Sequence, residues 1–227
     1  MTRSIDSERK RILQYGTKHL LEKASSKIVI TPENIAHLAY PIANFIHREK
    51  PDYILAFDRG ARIIASATHM LYQNLYGELP TQDHKINFRK ISRKVPQEEM
   101  RSQFKKDVEE MLTTTENPTV LLLDDWVITG GTKDLAKNLV TEFSDGRIKV
   151  LFGVMRGKGQ GADISGDKHS FAYYSWRNNP ELLGVDYDGN LEPKNITSPK
   201  TIFYRKRIAN GVRKFTERIK SNNQEDF

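Results

Sequence analysis

Cysteine is absent from this chain of 227 residues. Disulfide frameworks, cysteine-ligated zinc sites and thiol nucleophiles are therefore excluded. No stretch approaches the ~18 uninterrupted apolar residues that a membrane-spanning helix requires. The first residues also lack the apolar segment of a secretory signal peptide. We therefore expect a soluble, cytoplasmic protein with no membrane partner.

Two further shortages narrow the chemistry. The six histidines show no spacing typical of a metal site, and no serine lies in the sequence context of a hydrolase nucleophile. Hydrophobic residues make up only 37% of the chain, against 29% charged residues. This composition predicts a modest core with several solvated helices, in a chain long enough to need no disulfide or structural metal.

The net charge of +7 is concentrated in two segments. Residues 200–220 carry eight basic side chains and one acid, Glu217, and residues 85–106 carry eight more against Glu98 and Glu99. Such segments suit phosphate groups, either on a small ligand or on a nucleic acid. For the segment 200–220 the alternative is an ordinary solvated helix face.

Strand-like and helix-like patterns alternate along the middle of the chain. Thr31 and Pro32 indicate a helix start, with Thr31 as the N-cap, and that helix should end before Pro51. The alternation predicts an α/β fold with a mainly parallel central sheet flanked by helices. The predicted strands are Tyr53–Phe57, Lys85–Ile91, Thr119–Leu123 and Ile148–Met155, and the later helices are Ala61–Tyr76, Gln97–Leu112, Thr132–Phe143 and Pro199–Lys220.

The most informative segment is residues 119–132, which read TVLLLDDWVITGGT. A buried strand ends in two carboxylates, Asp124 and Asp125, and a turn of small residues then enters a helix. Backbone N–H groups at such a turn suit a phosphate, because glycine permits close approach and the helix N-terminus is positive. The two acids would repel that phosphate, so hydroxyl groups or Mg²⁺ are their natural ligands. The alternative is an ordinary strand–turn–helix with two solvated acids.

This segment resembles the phosphoribosyl-pyrophosphate (PRPP) binding motif of type I phosphoribosyltransferases over about 14 residues. The resemblance implies that the turn holds the 5-phosphate of PRPP. It also implies that Asp124 and Asp125 hold the ribose hydroxyls, act in catalysis and contribute to a Mg²⁺ site. The residues assigned to the 5-phosphate are Ile128, Thr129, Gly130, Gly131 and Thr132.

A second segment, residues 52–65, reads as a strand, a tight basic loop and a helix. It resembles the pyrophosphate loop of the same family, which implies that Asp58, Arg59 and Gly60 bind pyrophosphate. Arg59 can donate charge-assisted hydrogen bonds to pyrophosphate oxygens, which makes it a catalytic candidate. The alternative is a surface Arg-Gly turn.

A third segment, residues 84–94, lies where the family has a strand and a loop that closes over the site. Its basic residues Arg89 and Lys90 are assigned to pyrophosphate binding, and Arg93 and Lys94 are further candidates. A closing loop would exclude water and bring cations to the leaving group. A solvated basic strand edge is the alternative for each of them.

The acceptor pocket is less well defined. Residues 182–188 resemble the segment that lies over the purine in hypoxanthine-guanine enzymes, so Leu182 is assigned to the base pocket and Asp186 to the Mg²⁺ site. Those enzymes carry Asp where this chain has Ile128, which disfavours ordinary 6-oxopurine salvage. Arg156 lies near the family's base-contacting basic position. Trp126 either stacks on a planar acceptor or fills space.

The predicted organisation has three parts. Residues 1–30 form an N-terminal helical extension, residues 31–195 form the phosphoribosyltransferase-like domain with a small hood from 156–195, and residues 196–227 form a basic helix and tail. The predicted function is Mg²⁺-dependent transfer of phosphoribose from PRPP to a nucleobase-like acceptor. The alternative is a nucleotide-sensing regulator that binds RNA or DNA through its basic C-terminal segment. A homodimer is left open.

Overall fold

The computed structural model describes most of residues 31–157 and 197–224, with short strands between them. The described residues are 28–29, 31–32, 34–58, 60–91, 97–127, 131–157, 162–167, 172–173, 185–186, 194–195 and 197–224. The predicted N-terminal helical extension, residues 1–30, lies outside them except for residues 28–29, and most of the predicted hood lies outside them too. No helix in the described part of the chain is long and apolar enough to cross a membrane.

Five helices and nine strands are described in this part of the chain. The helices are α1 (Ile35–Glu49), α2 (Arg62–Tyr76), α3 (Gln97–Thr114), α4 (Gly131–Ser144) and α5 (Pro199–Gln224). The strands are β1 (Ile28–Val29), β2 (Tyr53–Asp58), β3 (Asn87–Lys90), β4 (Thr119–Val127), β5 (Lys149–Gly157), β6 (Ile164–Asp167), β7 (Ala172–Tyr173), β8 (Val185–Asp186) and β9 (Lys194–Asn195).

The main sheet confirms the predicted fold class. It has five strands in the order β3-β2-β4-β5-β6, and every neighbouring pair is parallel. The central strands are continuous apolar runs, as buried parallel strands require, and all six residues of β2 are buried. The remaining described strands form two small sheets of two strands each. In one of them β1 pairs with parallel β7, and in the other β8 pairs with antiparallel β9.

The core has one part on each face of this sheet. Alternate residues of β2 and β4 point to opposite faces, so Ile54 and Leu121 pack with α1, α2 and α5, whereas Leu55 and Leu122 pack with α3 and α4. We call the first the α1–α2–α5 face and the second the α3–α4 face. Covering helices on both faces are what an all-parallel sheet needs.

The start of α1 differs from the prediction. The helix begins at Ile35 and its N-cap is Asn34, not Thr31. The Asn34 side chain accepts a hydrogen bond from the Thr31 amide (2.8 Å), and the Thr31 carbonyl accepts from the amides of Asn34 and Ile35 (both 3.2 Å). Thr31 and Pro32 therefore form a turn that precedes the helix. At the other end Lys50, with φ of 46°, terminates α1 ahead of Pro51, as expected.

Candidate functional site

The carboxyl ends of β2 and β4 form the crevice where open α/β sheets bind ligands. From β2 the chain runs through α2 to β3 on one side of it, and α3 then returns the chain to β4 on the other side. The strand order therefore reverses between β2 and β4, and ligands bind outside the strands at such a switch point. Asp58 ends β2, while Asp124 and Asp125 are the sixth and seventh of the nine residues of β4.

All three of these carboxylates are buried, and Asp125 is only 2% exposed. Because β4 alternates, Asp125 continues the row of Leu121 and Leu123 on the α1–α2–α5 face, and Asp124 points to the α3–α4 face. An oxygen of Asp124 accepts a hydrogen bond from the Asp125 amide (2.7 Å). Burial of charge at this edge requires polar or charged partners nearby.

Gly60 packs directly against the carboxyl group of Asp125. A Cβ atom at position 60 would come closer than 3.0 Å to the Cγ and both carboxyl oxygens of Asp125, a separation that real Cβ atoms essentially never show. Only glycine therefore fits with Asp125 in this position. The structure thus brings together Gly60, which the sequence analysis assigned to pyrophosphate, and Asp125, which it assigned to ribose.

Asp58 has a partner that the sequence analysis missed. Nε of Arg62 donates to both carboxyl oxygens of Asp58 (2.9 and 3.1 Å), and Nη2 donates to one of them as well. The guanidinium also lies 4.3 Å from the ring centroid of Phe88 on β3. The Asp58 side chain is enclosed by this contact, so any pyrophosphate contact at this position belongs to its main chain. The spacing of four residues was the available signal for the pair.

Arg89 does not join this group. Register pairs it with Phe57, so it points to the α3–α4 face, where its Nε and Nη2 donate to the two carboxyl oxygens of Asp107 (2.6 and 2.5 Å). Asp58 and Asp125 lie on the other face. Lys90, which pairs with Asp58 in the register, lies on their side of the sheet. The pyrophosphate roles of Arg89 and Lys90 stay predictions, and Arg89 would have to leave Asp107 to fulfil its role.

The predicted 5-phosphate turn is described only at its end. Gly131 and Thr132 are exposed and form the first two residues of α4. They therefore lie at the positive end of the α4 dipole, where backbone amides lack intrahelical acceptors. Ile128, Thr129 and Gly130 lie outside the described residues, as does Arg59 of the pyrophosphate loop.

The acceptor-pocket predictions can be located only at the backbone level. Trp126 of β4 and Arg156 of β5 are direct register partners, so the two positions predicted to contact the base are neighbours in the sheet. Asp186 belongs to the short strand β8, which pairs with β9 in a separate sheet and not with the main sheet. Leu182 lies outside the described residues.

The donor set at this edge fits Mg²⁺. Among the described side chains no group of three or more His, Asp or Glu could by itself hold a metal ion. Mg²⁺, however, is usually bound by one or two carboxylates together with substrate oxygens and water. Asp124 and Asp125 are hard oxygen donors that shortly precede the turn predicted to bind phosphate, so they would be the residues that hold Mg²⁺ together with a phosphorylated ligand.

The chain is structurally similar to purine phosphoribosyltransferases. A purine phosphoribosyltransferase from Pyrococcus horikoshii Ot3 is 14% identical with a TM-score of 0.46, over 68% of this chain and 96% of that chain. The xanthine-guanine-hypoxanthine phosphoribosyltransferase of Helicobacter pylori is 9% identical with a TM-score of 0.47, over 70% and 97% of the two chains. The hypoxanthine phosphoribosyltransferase of Trypanosoma cruzi is 15% identical with a TM-score of 0.41, over 80% and 94%. No family model and no curated protein sequence matches the chain.

Proposed function

We propose that this protein binds PRPP with Mg²⁺ and transfers its phosphoribosyl group to a nitrogenous base, with release of pyrophosphate. The contact of Gly60 with Asp125 is the observation that carries the proposal. It joins Gly60 of the loop assigned to pyrophosphate to Asp125, one of the two acids assigned to ribose, at the switch point of a parallel sheet. In PRPP the pyrophosphate is bonded directly to the ribose. The protein residues that contact these two parts of the ligand must therefore lie next to each other.

The proposed roles are those that the family resemblance assigns to these residues. The turn 128–132 binds the 5-phosphate at the N-terminus of α4. Asp124 and Asp125 accept hydrogen bonds from the ribose hydroxyls and hold the sugar in one orientation. Arg59 and the main chain at Gly60 bind the pyrophosphate, and Mg²⁺ offsets its negative charge when bound.

The reaction exchanges one bond at the anomeric carbon. The bond from this carbon to the pyrophosphate oxygen breaks, and both electrons leave with pyrophosphate. A ring nitrogen of the acceptor supplies the electron pair for the new bond and gives up its proton to water. Arg59 stabilises the charge that develops on the leaving pyrophosphate, and fixed donors of this kind act most strongly where water is excluded.

The acceptor is proposed only as a nitrogenous base. Trp126 and Arg156 adjoin across β4 and β5, and Leu182 is placed with them from the sequence. If the Trp126 indole stacks on the acceptor, its fluorescence should be quenched on binding, in a Trp176→Phe background that removes the other tryptophan. Trp126→Ala should then raise the KM for the acceptor far more than the KM for PRPP.

The alternative is a regulator that senses a nucleotide at the same edge without turning it over, while the basic segment binds RNA or DNA. The exposed cations of α5 favour it. Turnover separates the two functions. The enzyme releases pyrophosphate when PRPP is supplied with one member of a panel of purines, pyrimidines and small amines, whereas the regulator binds but releases none.

Calorimetry with PRPP and Mg²⁺ tests the site itself. Asp124→Asn and Asp125→Asn should each weaken PRPP binding by about 10- to 100-fold, as expected when a hydrogen bond to a charged group is lost. Asp52→Asn is the matched control, because Asp52 precedes β2 at the opposite edge and accepts from the Thr119 amide of β4. The proposal is wrong if the wild-type chain does not bind PRPP, or if the control weakens binding as much as the two site variants.

A further inference from the structure

The two faces of the main sheet carry opposite charge. The helices of the α1–α2–α5 face hold ten Lys and Arg side chains against two Glu, whereas those of the α3–α4 face hold five Lys and Arg against seven Asp and Glu. Most of the excess comes from α5, which has eight cations and a single acid, Glu217. Among the described helices, the excess of positive charge therefore lies on one side of the sheet.

The packing of α5 directs these cations outward. One side of the helix is buried against α1 and α2 through Tyr204, Ile208, Val212 and Phe215. The ring of Phe215 meets His37 and Tyr40 of α1 edge to face. The opposite side is exposed, and we call it the α5 basic face. Its exposed cations include Arg205, Lys206, Arg213, Lys214, Arg218 and Lys220.

The dimensions of this face suit an extended polyanion. A helix rises 1.5 Å per residue, so the cations from Lys200 to Lys220 span about 30 Å. A nucleic-acid strand in a duplex carries one phosphate per about 3.4 Å, so roughly nine phosphates lie along that length. The single acid is already engaged, since Glu217 accepts from Arg213 (2.6 Å).

We propose that the α5 basic face binds nucleic acid through its phosphate backbone, with little preference for sequence. Phe203 lies at one end of this face, is 62% exposed and has the Arg207 guanidinium 5.7 Å from its ring centroid. It offers a surface on which a base can stack. This surface is distinct from the edge that carries Asp124 and Asp125, so it does not depend on turnover of PRPP.

A membrane is a poorer fit for the same cations. A helix that lies in a bilayer interface buries its apolar side among the lipids. In α5 that side is occupied by α1 and α2, and only Ile202 and Phe203 at the N-terminal end are exposed among its large apolar residues. The α5 basic face presents exposed cations and few exposed apolar side chains, which suits the phosphates of a nucleic acid bound at the surface.

Fluorescence anisotropy of the full chain tests the proposal with labelled single-stranded RNA, single-stranded DNA and duplex DNA over a range of salt concentrations. The test variant is Arg205→Gln with Lys206→Gln, and the matched control is Lys105→Gln with Lys106→Gln. Both pairs are adjacent exposed cations on helices, but Lys105 and Lys106 belong to α3 on the acidic face.

For a single strand, the slope of log K against log salt should fall by about 1.4 in the α5 variant, since each lost phosphate contact removes about 0.7. It should not change in the α3 control. Tighter binding of RNA or of DNA identifies the natural source of the phosphates. Vesicles of anionic lipid are assayed in parallel. The proposal is overturned if the wild-type chain binds none of the three nucleic-acid probes at low salt, if it binds only the vesicles, or if the two variants lose equal slope.

Discussion

The two ends of the parallel strands use the same residue type for different purposes. At the amino ends, the Asp52 carboxylate accepts from the Thr119 amide (2.8 Å) and so ties the start of β2 to the start of β4. At the carboxyl ends, Asp58 is held by Arg62, and Asp125 is packed against Gly60. The Asp52 contact completes the sheet. At the other end Asp58 is fixed by the Arg62 side chain and Asp125 packs against a loop, whereas Asp124 accepts from the next amide of its own strand. Contacts with side chains and loops of this kind can position a binding site.

Breaking the Asp58–Arg62 pair should have the largest effect on stability. Arg62→Met removes one partner of a buried pair and leaves the Asp58 charge without it, which should lower the free energy of unfolding by about 3–5 kcal/mol. Urea unfolding measures this change. Arg101→Met is the matched control, because Arg101 also combines an ion pair, with Glu142, and a ring contact, with Phe143, but on the exposed surface.

The control should cost no more than about 1 kcal/mol, the usual range for an exposed pair. Equal losses in the two variants would mean that the carboxyl edge is no more tightly held than the surface. Arg62→Lys keeps the charge but loses the forked geometry, so it should fall between the wild type and Arg62→Met.

Gly60→Ala should affect the candidate site at the carboxyl ends of β2 and β4 more selectively than Arg62→Met does. The added methyl group displaces either the loop or the Asp125 carboxyl, at a cost of about 1–3 kcal/mol in the free energy of unfolding. PRPP affinity should fall by about tenfold or more, measured by calorimetry. Gly153→Ala in β5 is the control, since its Cβ would meet methyl groups of Ile164, Leu123 and Leu121, at 3.2, 3.3 and 3.5 Å.

Gly153→Ala should leave the affinity for PRPP unchanged even if stability falls. Wild-type affinity in Gly60→Ala would show that the position of Asp125 does not matter to the ligand. That result would separate the packing of this edge from its proposed function.

Asp52→Ala should affect the amino edge alone. The Thr119 amide loses its acceptor, which should lower the free energy of unfolding by about 1–2 kcal/mol, because Thr119 is partly exposed and water can replace the carboxylate. The dissociation constant for PRPP should stay at its wild-type value. A loss of PRPP affinity in this variant would remove the contrast between the two edges.

The weakest effect concerns pH and belongs to neither edge. Burial, followed by the charge of Arg218, lowers the pKa of His37, and burial lowers the pKa of His69. Below the ordinary histidine pKa of about 6.5, histidines of the unfolded chain bind protons, whereas these two partly buried rings stay neutral down to a lower pH. Stability is therefore complete above that pH and is lost as the pH falls toward the lower pKa of the folded state.

His37→Gln should flatten this dependence between pH values of about 7.5 and 5.5, a window above the ordinary carboxylate range. Thermal unfolding at several pH values measures it, with His84→Gln, at an exposed histidine, as the control. If the pH dependence of stability is unchanged in His37→Gln, other titrating groups are responsible for the loss of stability in acid.

The fold was predictable from the sequence because its signals are local. The apolar runs 53–57 and 119–123 could be buried on both sides only within a parallel sheet, and the structure confirms this sheet. The second strand was predicted to end at Leu123, whereas β4 continues through Asp124 and Asp125 to Val127, so the two acids lie within the strand. The start of α1 was wrong by several residues, since Thr31 and Pro32 form a turn that resembles a helix N-terminus in composition.

The contacts at the site were less predictable because they join distant segments. Nothing in the sequence near Gly60 indicates that it would face Asp125, and the assignment of Arg89 could not anticipate the carboxylate of Asp107 on α3. These contacts depend on the register between strands and on which side of the sheet each helix covers. The Asp58–Arg62 pair was the exception, since its spacing is readable from the sequence.

The place of α5 in the chain affects how the core is completed during synthesis. Its buried residues, Tyr204, Ile208, Val212 and Phe215, are translated after all five strands of the main sheet, yet they cover α1, which is translated before any of them. A nascent chain that has just finished the sheet therefore still exposes an apolar patch on α1 and α2. Such patches attract chaperones and other unfinished chains. Ribosome-bound chains that end before residue 199 should be the ones most prone to aggregate.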